Sequence, residues 1–99
     1  MTERTYQVQD LHAQTARIGW QEIEKHFARG VVIRVDEDLD LVEVATCLAN
    51  DDRTAVEGWI RAGQVEHLGM ATAKRWAECQ PELWAVVVAP WVVVQERSR

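Results

Sequence analysis

Ninety-nine residues fit one domain with one core, because chains divide into several only beyond roughly 250 residues. With 47% hydrophobic and 27% charged residues the chain is too apolar for a disordered segment. Sixteen Asp and Glu against eleven Lys and Arg give a net charge of -5, which argues against a general nucleic-acid or anionic-membrane binder.

A single domain over residues 1–99 is therefore expected, with about eight N-terminal and four C-terminal residues loose. The start, MTERTYQVQD, has neither a basic opening nor an apolar stretch, so no secretory signal is expected and the cytoplasm is the expected compartment. The longest apolar run, LWAVVVAPWVVV at 83–94, is interrupted by proline and falls short of the roughly 20 residues that span a bilayer as a helix. No membrane segment is expected. Cys47 and Cys79 lack C-x-x-C spacing and read as two free thiols.

In chain order, Asp10 offers a cap for a first helix with Leu11, Ala13, Ala16 and Ile18, ended or bent by Gly19. A second helix is predicted over 20–28: Gly19 is its N-cap, Glu22 sits at N3, Trp20, Ile23 and Phe27 share a face, and Gly30 lies just past its end. VVIRV at 31–35 reads as a short buried strand. Asp40 and Glu43 have capping-box spacing, and Leu41, Val44, Ala45 and Leu48 form one stripe, predicting a helix over 41–49.

Asn50, Asp51 and Asp52 then stop that helix and cap another, whose apolar face is Val56, Trp59 and Ile60 and which closes at Gly63. Gly58 in its middle costs about 1 kcal/mol relative to Ala, which predicts close approach by a neighbour. Residues 64–68 read as a strand with Val65 and Leu68 inward, and Thr72 as the cap of a short helix through Ala73, Trp76 and Ala77, with Pro81 beyond it. Residues 83–95 are apolar on both pleat faces, which calls for a sheet covered on both sides or a subunit interface. Pro90 marks an edge or a bulge that bends one long strand into two.

The expected fold is α+β: a helix-turn-helix-like pair packed on a small, mostly antiparallel sheet, winged-helix-like in element order. Residues 39–68 look like helix-turn-helix domains with an E-V-A helix (Glu43, Val44, Ala45) and a second helix ending W-I-x-x-G (Trp59, Ile60, Gly63). Charge opposes that function. From Asp36 to Glu57 eight acids face one base, Arg53, a local net of -7, whereas DNA affinity comes largely from Lys and Arg neutralising phosphates. A DNA-binding regulator is thus the alternative reading, using Arg53, Arg61, Lys74 and Arg75.

Other chemistries find little material. Asp36, Asp38 and Asp40 open like a calcium loop, but Leu41 and Cys47 stand where Gly and the bidentate Glu belong; a solvated turn feeding a helix N-terminus explains the acids more simply. His12, His26 and His67 complete no tetrahedral metal set, Ser98 is the sole serine, and no Gly-rich phosphate loop is present. No catalytic residue, metal or cofactor is expected, although a small enzyme with its site assembled across a dimer is a further alternative. Five tryptophans crowd so short a chain, and interfaces favour Trp. A homodimer through the C-terminal strand is expected, with Trp84, Trp91 and Val93 at the interface.

TARIGWQEIEKHFARG (15–30), LDLVEV (39–44), the pair Asp51 and Asp52 before W-I-x-x-G, and LWAVVVAPWVVVQE (83–96) resemble a bacterial family of small proteins, domain of unknown function 2288. The resemblance implies one domain and carries no activity, cofactor or catalytic residue. From the residues, the expected function is a non-catalytic acidic protein-interaction or regulatory module, with the 36–52 surface facing solvent or a basic partner.

Overall fold

The computed structural model describes residues 15–97. Its described elements run β1 (Ala16–Ile18), α1 (Trp20–Ala28), β2 (Val32–Val35), α2 (Leu41–Ala49), α3 (Arg53–Arg61), β3 (Val65–His67), α4 (Met70–Cys79), β4 (Leu83–Val88) and β5 (Trp91–Glu96). The strands form one sheet in the order β1-β4-β5-β2-β3. All neighbours are antiparallel except β2 and β5, which run parallel with Ile33 opposite Val93.

The two-faced apolar character of 83–95 finds its explanation here. On one face Val86 and Val93 join Ile33, Val35 and Val65 beneath Leu41, Val42, Val44 and Ala45 of α2, and Trp59 of α3 packs at the margin. On the other, Leu83, Ala85, Val92 and Val94 meet Ile23 of α1 and Ala73 and Trp76 of α4. Each fully buried aliphatic side chain contributes roughly 1.5–3 kcal/mol, so neither helix layer is dispensable.

Pro90 neither marks an edge nor bends a continuous strand. The Ala89–Pro90 peptide is cis and forms the two-residue turn of an antiparallel hairpin, with Val88 paired to Trp91. The helix expected to run through Ala16 and Ile18 is replaced there by β1, which pairs with β4; its proposed cap Asp10, with Leu11 and Ala13, lies outside the described residues, as does His12. Thr72 is not a cap either, since α4 begins two residues earlier behind Gly69.

The helix pair sits where the sequence placed it. Asp40 Oδ1 accepts from the backbone N–H of Val42 at 3.0 Å and of Glu43 at 3.3 Å, and Asp52 Oδ1 accepts from Ala55 at 3.3 Å. These bonds satisfy donors that an α-helix leaves open at its start. Beyond the pair the chain departs from a winged helix: β3 and β4 are separated by β2 and β5, so they make no hairpin wing. The intervening α4 covers the face opposite the pair.

Gly58 has no close neighbour, because a Cβ placed on it meets nothing within 4 Å. The expected close approach does not exist, and the glycine is simply a weak spot in an exposed helix. Gly58→Ala is therefore expected to raise stability by about 0.5–1 kcal/mol, and Asp40→Ala to lower it by about 1 kcal/mol. Chemical denaturation of both variants checks the pair; a destabilised Gly58→Ala would contradict the open environment.

Candidate functional site

At one end of the sheet, the carboxyl termini of the parallel strands β2 and β5 lie side by side, and two clefts open there. The first, about 350 Å³, is lined by residues that include Arg34, Asp36, Glu66, Thr72, Arg75 and Glu96. The second, about 510 Å³, lies along Asp38, Leu39, Asp40, Gln95 and Arg97. The acidic turn at 36–39 stands between them, with Glu37 on both linings.

Gln95, a buried polar side chain, fastens that turn to the sheet. Its Nε2 donates to the carbonyls of Asp36 at 2.9 Å and Leu39 at 2.7 Å, and its Oε1 accepts from Arg97 Nε at 3.0 Å. Asp36 Oδ1 accepts from Asp38 N at 2.9 Å, closing the turn on itself. Asp36 and Asp40 thus hold the backbone, and among the described residues no group of three His, Cys, Asp or Glu is placed to hold a metal ion.

The first cleft is built from paired charges on four elements. Arg34 of β2 donates from Nε to Glu66 Oε2 of β3 at 3.0 Å and from Nη2 to the Gly63 carbonyl at 3.2 Å. Arg75 of α4 grips Glu96 of β5 with both Nη groups, Nη1 to Oε2 at 3.1 Å, while the indole Nε1 of buried Trp76 donates to Glu96 Oε1 at 3.0 Å. The Arg75 hydrogen bond holds the Glu96 carboxyl below its ordinary range, opposed by burial and helped by Trp76. The same bond raises Arg75.

Several residues singled out from sequence fall elsewhere. Arg53 and Arg61 lie on α3 while Lys74 and Arg75 lie on α4, so the four bases of the DNA reading are divided between helices on opposite faces of the sheet. Arg53 lies 3.6 Å from Asp51 and Arg75 is engaged with Glu96. Val93 is fully buried within the chain's own core, and β5 is paired on both sides, by β4 and β2. It therefore offers no backbone edge to a second chain.

Trp84 and Trp91 are half-buried. Trp84 Nε1 donates to Glu82 at 2.7 Å and the Arg97 guanidinium stands 5.0 Å from its ring, while His67 meets the Trp91 ring in an edge contact at 5.5 Å. Cys47 lines a small apolar groove of about 110 Å³ between α2 and α3. Burial first, then the charges of Asp52 and Glu43, push its thiol up, which disfavours the reactive thiolate. The cleft residues Arg34, Glu66, Trp76 and Glu96 were not recognisable as a group from sequence. The one available signal was Arg34 inside the apolar strand at 31–35.

With this geometry established, the likeness to known proteins can be set beside it. A family described as "Protein of unknown function (DUF2288)" matches residues 7–96. The chain belongs to that family. Among solved structures it is similar to the NMR solution structure of PA1075 from Pseudomonas aeruginosa, at 50% identity and a TM-score of 0.84, covering 100% of this chain and 93% of that one. No protein of curated function matches it. Among the described residues no helix of this DUF2288 protein is long and apolar enough to cross a membrane.

The site makes two outcomes measurable. A carboxyl with a depressed folded pKa stabilises fully at neutral pH and loses that contribution as pH falls below its ordinary value of 4.5. Wild type is expected to exceed Glu96→Gln by about 1 kcal/mol near pH 7, a modest figure because the pair is partly solvated. That gap should close toward about pH 3, and a gap independent of pH in denaturant titrations would count against the pairing. A thiol reagent is expected to modify exposed Cys79 about tenfold faster than Cys47, read by mass spectrometry of single-cysteine variants.

Proposed function

We propose that this protein is a non-catalytic interaction module whose α2–α3 layer docks a basic surface of a partner protein. The observation that carries the reading is the display of seven acids, Glu37, Asp38, Asp40, Glu43, Asp51, Asp52 and Glu57, along the turn and the two helices, all of them exposed. Arg53 is the one base in that stretch. Three of the acids, Asp51, Asp52 and Glu57, border a shallow apolar groove formed by Leu48 and Val56, and Ile60 is 52% exposed on the same helix as Val56. An apolar centre with a charged rim is the usual anatomy of a protein interface, and the charge would speed encounter and select against acidic partners.

The groove is well below the roughly 300 Å³ at which small-molecule sites begin, which favours a protein surface over a metabolite there. The raised thiol of Cys47 supports a role without covalent chemistry. A homodimer through the C-terminal strand would meet through side chains of the β4–β5 hairpin, where Val87 is 58% exposed.

A short lysine-rich peptide titrated into the isotope-labelled protein tests the reading. Amide shifts are expected within 37–60, weakening as salt rises from about 50 to 200 mM, and disappearing when Asp38, Asp51 and Glu57 are all replaced by Lys. Shifts confined to α1 and α4, or none at low salt, would overturn it. Tight, salt-sensitive binding of duplex DNA in the same buffer would revive the regulator reading.

A further inference from the structure

The cleft beneath α4 lies outside the α2–α3 layer and shares only Glu37 with the interaction reading. Its volume, about 350 Å³, is at the small end of the roughly 300–1,000 Å³ typical of ligand sites, so its occupant is a small molecule. Its lining combines both signs of charge: Arg34 and Arg75 against Asp36, Glu37, Glu66 and Glu96, with the half-buried Thr72 among them. A hydrophobic ligand would strip water from those groups without compensation, and a simple anion or cation would meet like charge on one side or the other.

From the geometry we infer that this cleft binds a zwitterion of amino-acid size carrying surplus positive charge, that is, a free basic α-amino acid. Arg34 commits Nε and Nη2 to Glu66 and Gly63, and neither bond occupies its Nη1, which suits a ligand carboxylate. Arg75 is held by Glu96 through its Nη groups, which leaves Nε outside that fork. Asp36 Oδ1 takes the turn amide, and its second oxygen faces no such demand, so Asp36 and Glu66 supply carboxylate oxygen to an ammonium group. The four carboxylates outnumber the two guanidinia, which selects a cationic side chain over a neutral or acidic one. Trp76, fully buried and bonded to Glu96, keeps the Arg75 pair in place, so the polar lining is organised before any ligand arrives.

The test is an isotope-edited NMR titration of the full chain with L-arginine, with agmatine, which lacks the carboxylate, and with Nα-acetyl-L-arginine, which lacks the α-ammonium. L-arginine is expected to shift amides at 34–37, 66, 72–76 and 96 saturably, with a Kd at or below about 1 mM. Agmatine and the acetylated form should bind about tenfold more weakly or not at all. Thr72→Val, which leaves both ion pairs intact, should weaken L-arginine about tenfold while the rest of the spectrum keeps its dispersion.

No saturable shift with L-arginine at about 10 mM would overturn the inference, and so would agmatine binding as well as L-arginine. Shifts at 38–57 alone would overturn it too while leaving the acidic docking surface standing. The lysine-rich peptide failing where L-arginine binds would sink the docking surface and leave the cleft.

Discussion

A hairpin that is apolar on both faces imposes the architecture. Val86 and Val93 need cover on one side, and Leu83, Ala85, Val92 and Val94 need it on the other. A single helical layer would leave one set in water, at roughly 1.5–3 kcal/mol for each large side chain. The chain meets the requirement by alternation: α2 and α3 settle on the first face, and α1 and α4 on the second. Because β5 must be covered twice, it lies inside the sheet, next to β2 in a parallel contact. That contact brings Val35 and Glu96 to the same end and so creates the place where both clefts open.

The acidic turn owes its position to the same end of the sheet. Gln95 is the first polar residue after the apolar run, and it faces the α2 side where the chain climbs from β2 to α2. A buried amide needs partners, and the carbonyls of Asp36 and Leu39 supply them. The turn is thereby held against the sheet by a side chain from the far end of the chain, 59 and 56 positions away from the two carbonyls.

Local signals made much of the fold legible. The α1 and α2 spans follow from cap residues and apolar spacing, and α3 from Asp52 and Gly63, because these depend on neighbours within a turn. Pairing was less legible. Nothing in LWAVVVAPWVVV distinguishes one bent strand from a hairpin without knowing what lies across from Val93, and β1 is too short to carry a strand pattern of its own. The charged cleft was hidden for a related reason: Arg34 and Glu66 become partners only through the β2–β3 register, and Arg75 and Glu96 only through the docking of α4 on the sheet. Arg75 itself was visible as a base, yet its chemistry is set by a residue 21 positions away.

The strand order also determines how safely this chain can exist at high concentration. Valine-rich β5 is paired on both edges, by β4 and by β2, while β4 is paired with β5 along its length and with β1 at Leu83–Ala85. Among the described residues the outermost strands are β1 and β3, each three residues long, carrying Arg17 on one and Glu66 and His67 on the other. Short charged margins make poor templates for a growing cross-β stack. Fraying at the rim exposes charged, three-residue strands first, while β5 stays between its two partners until the sheet itself opens.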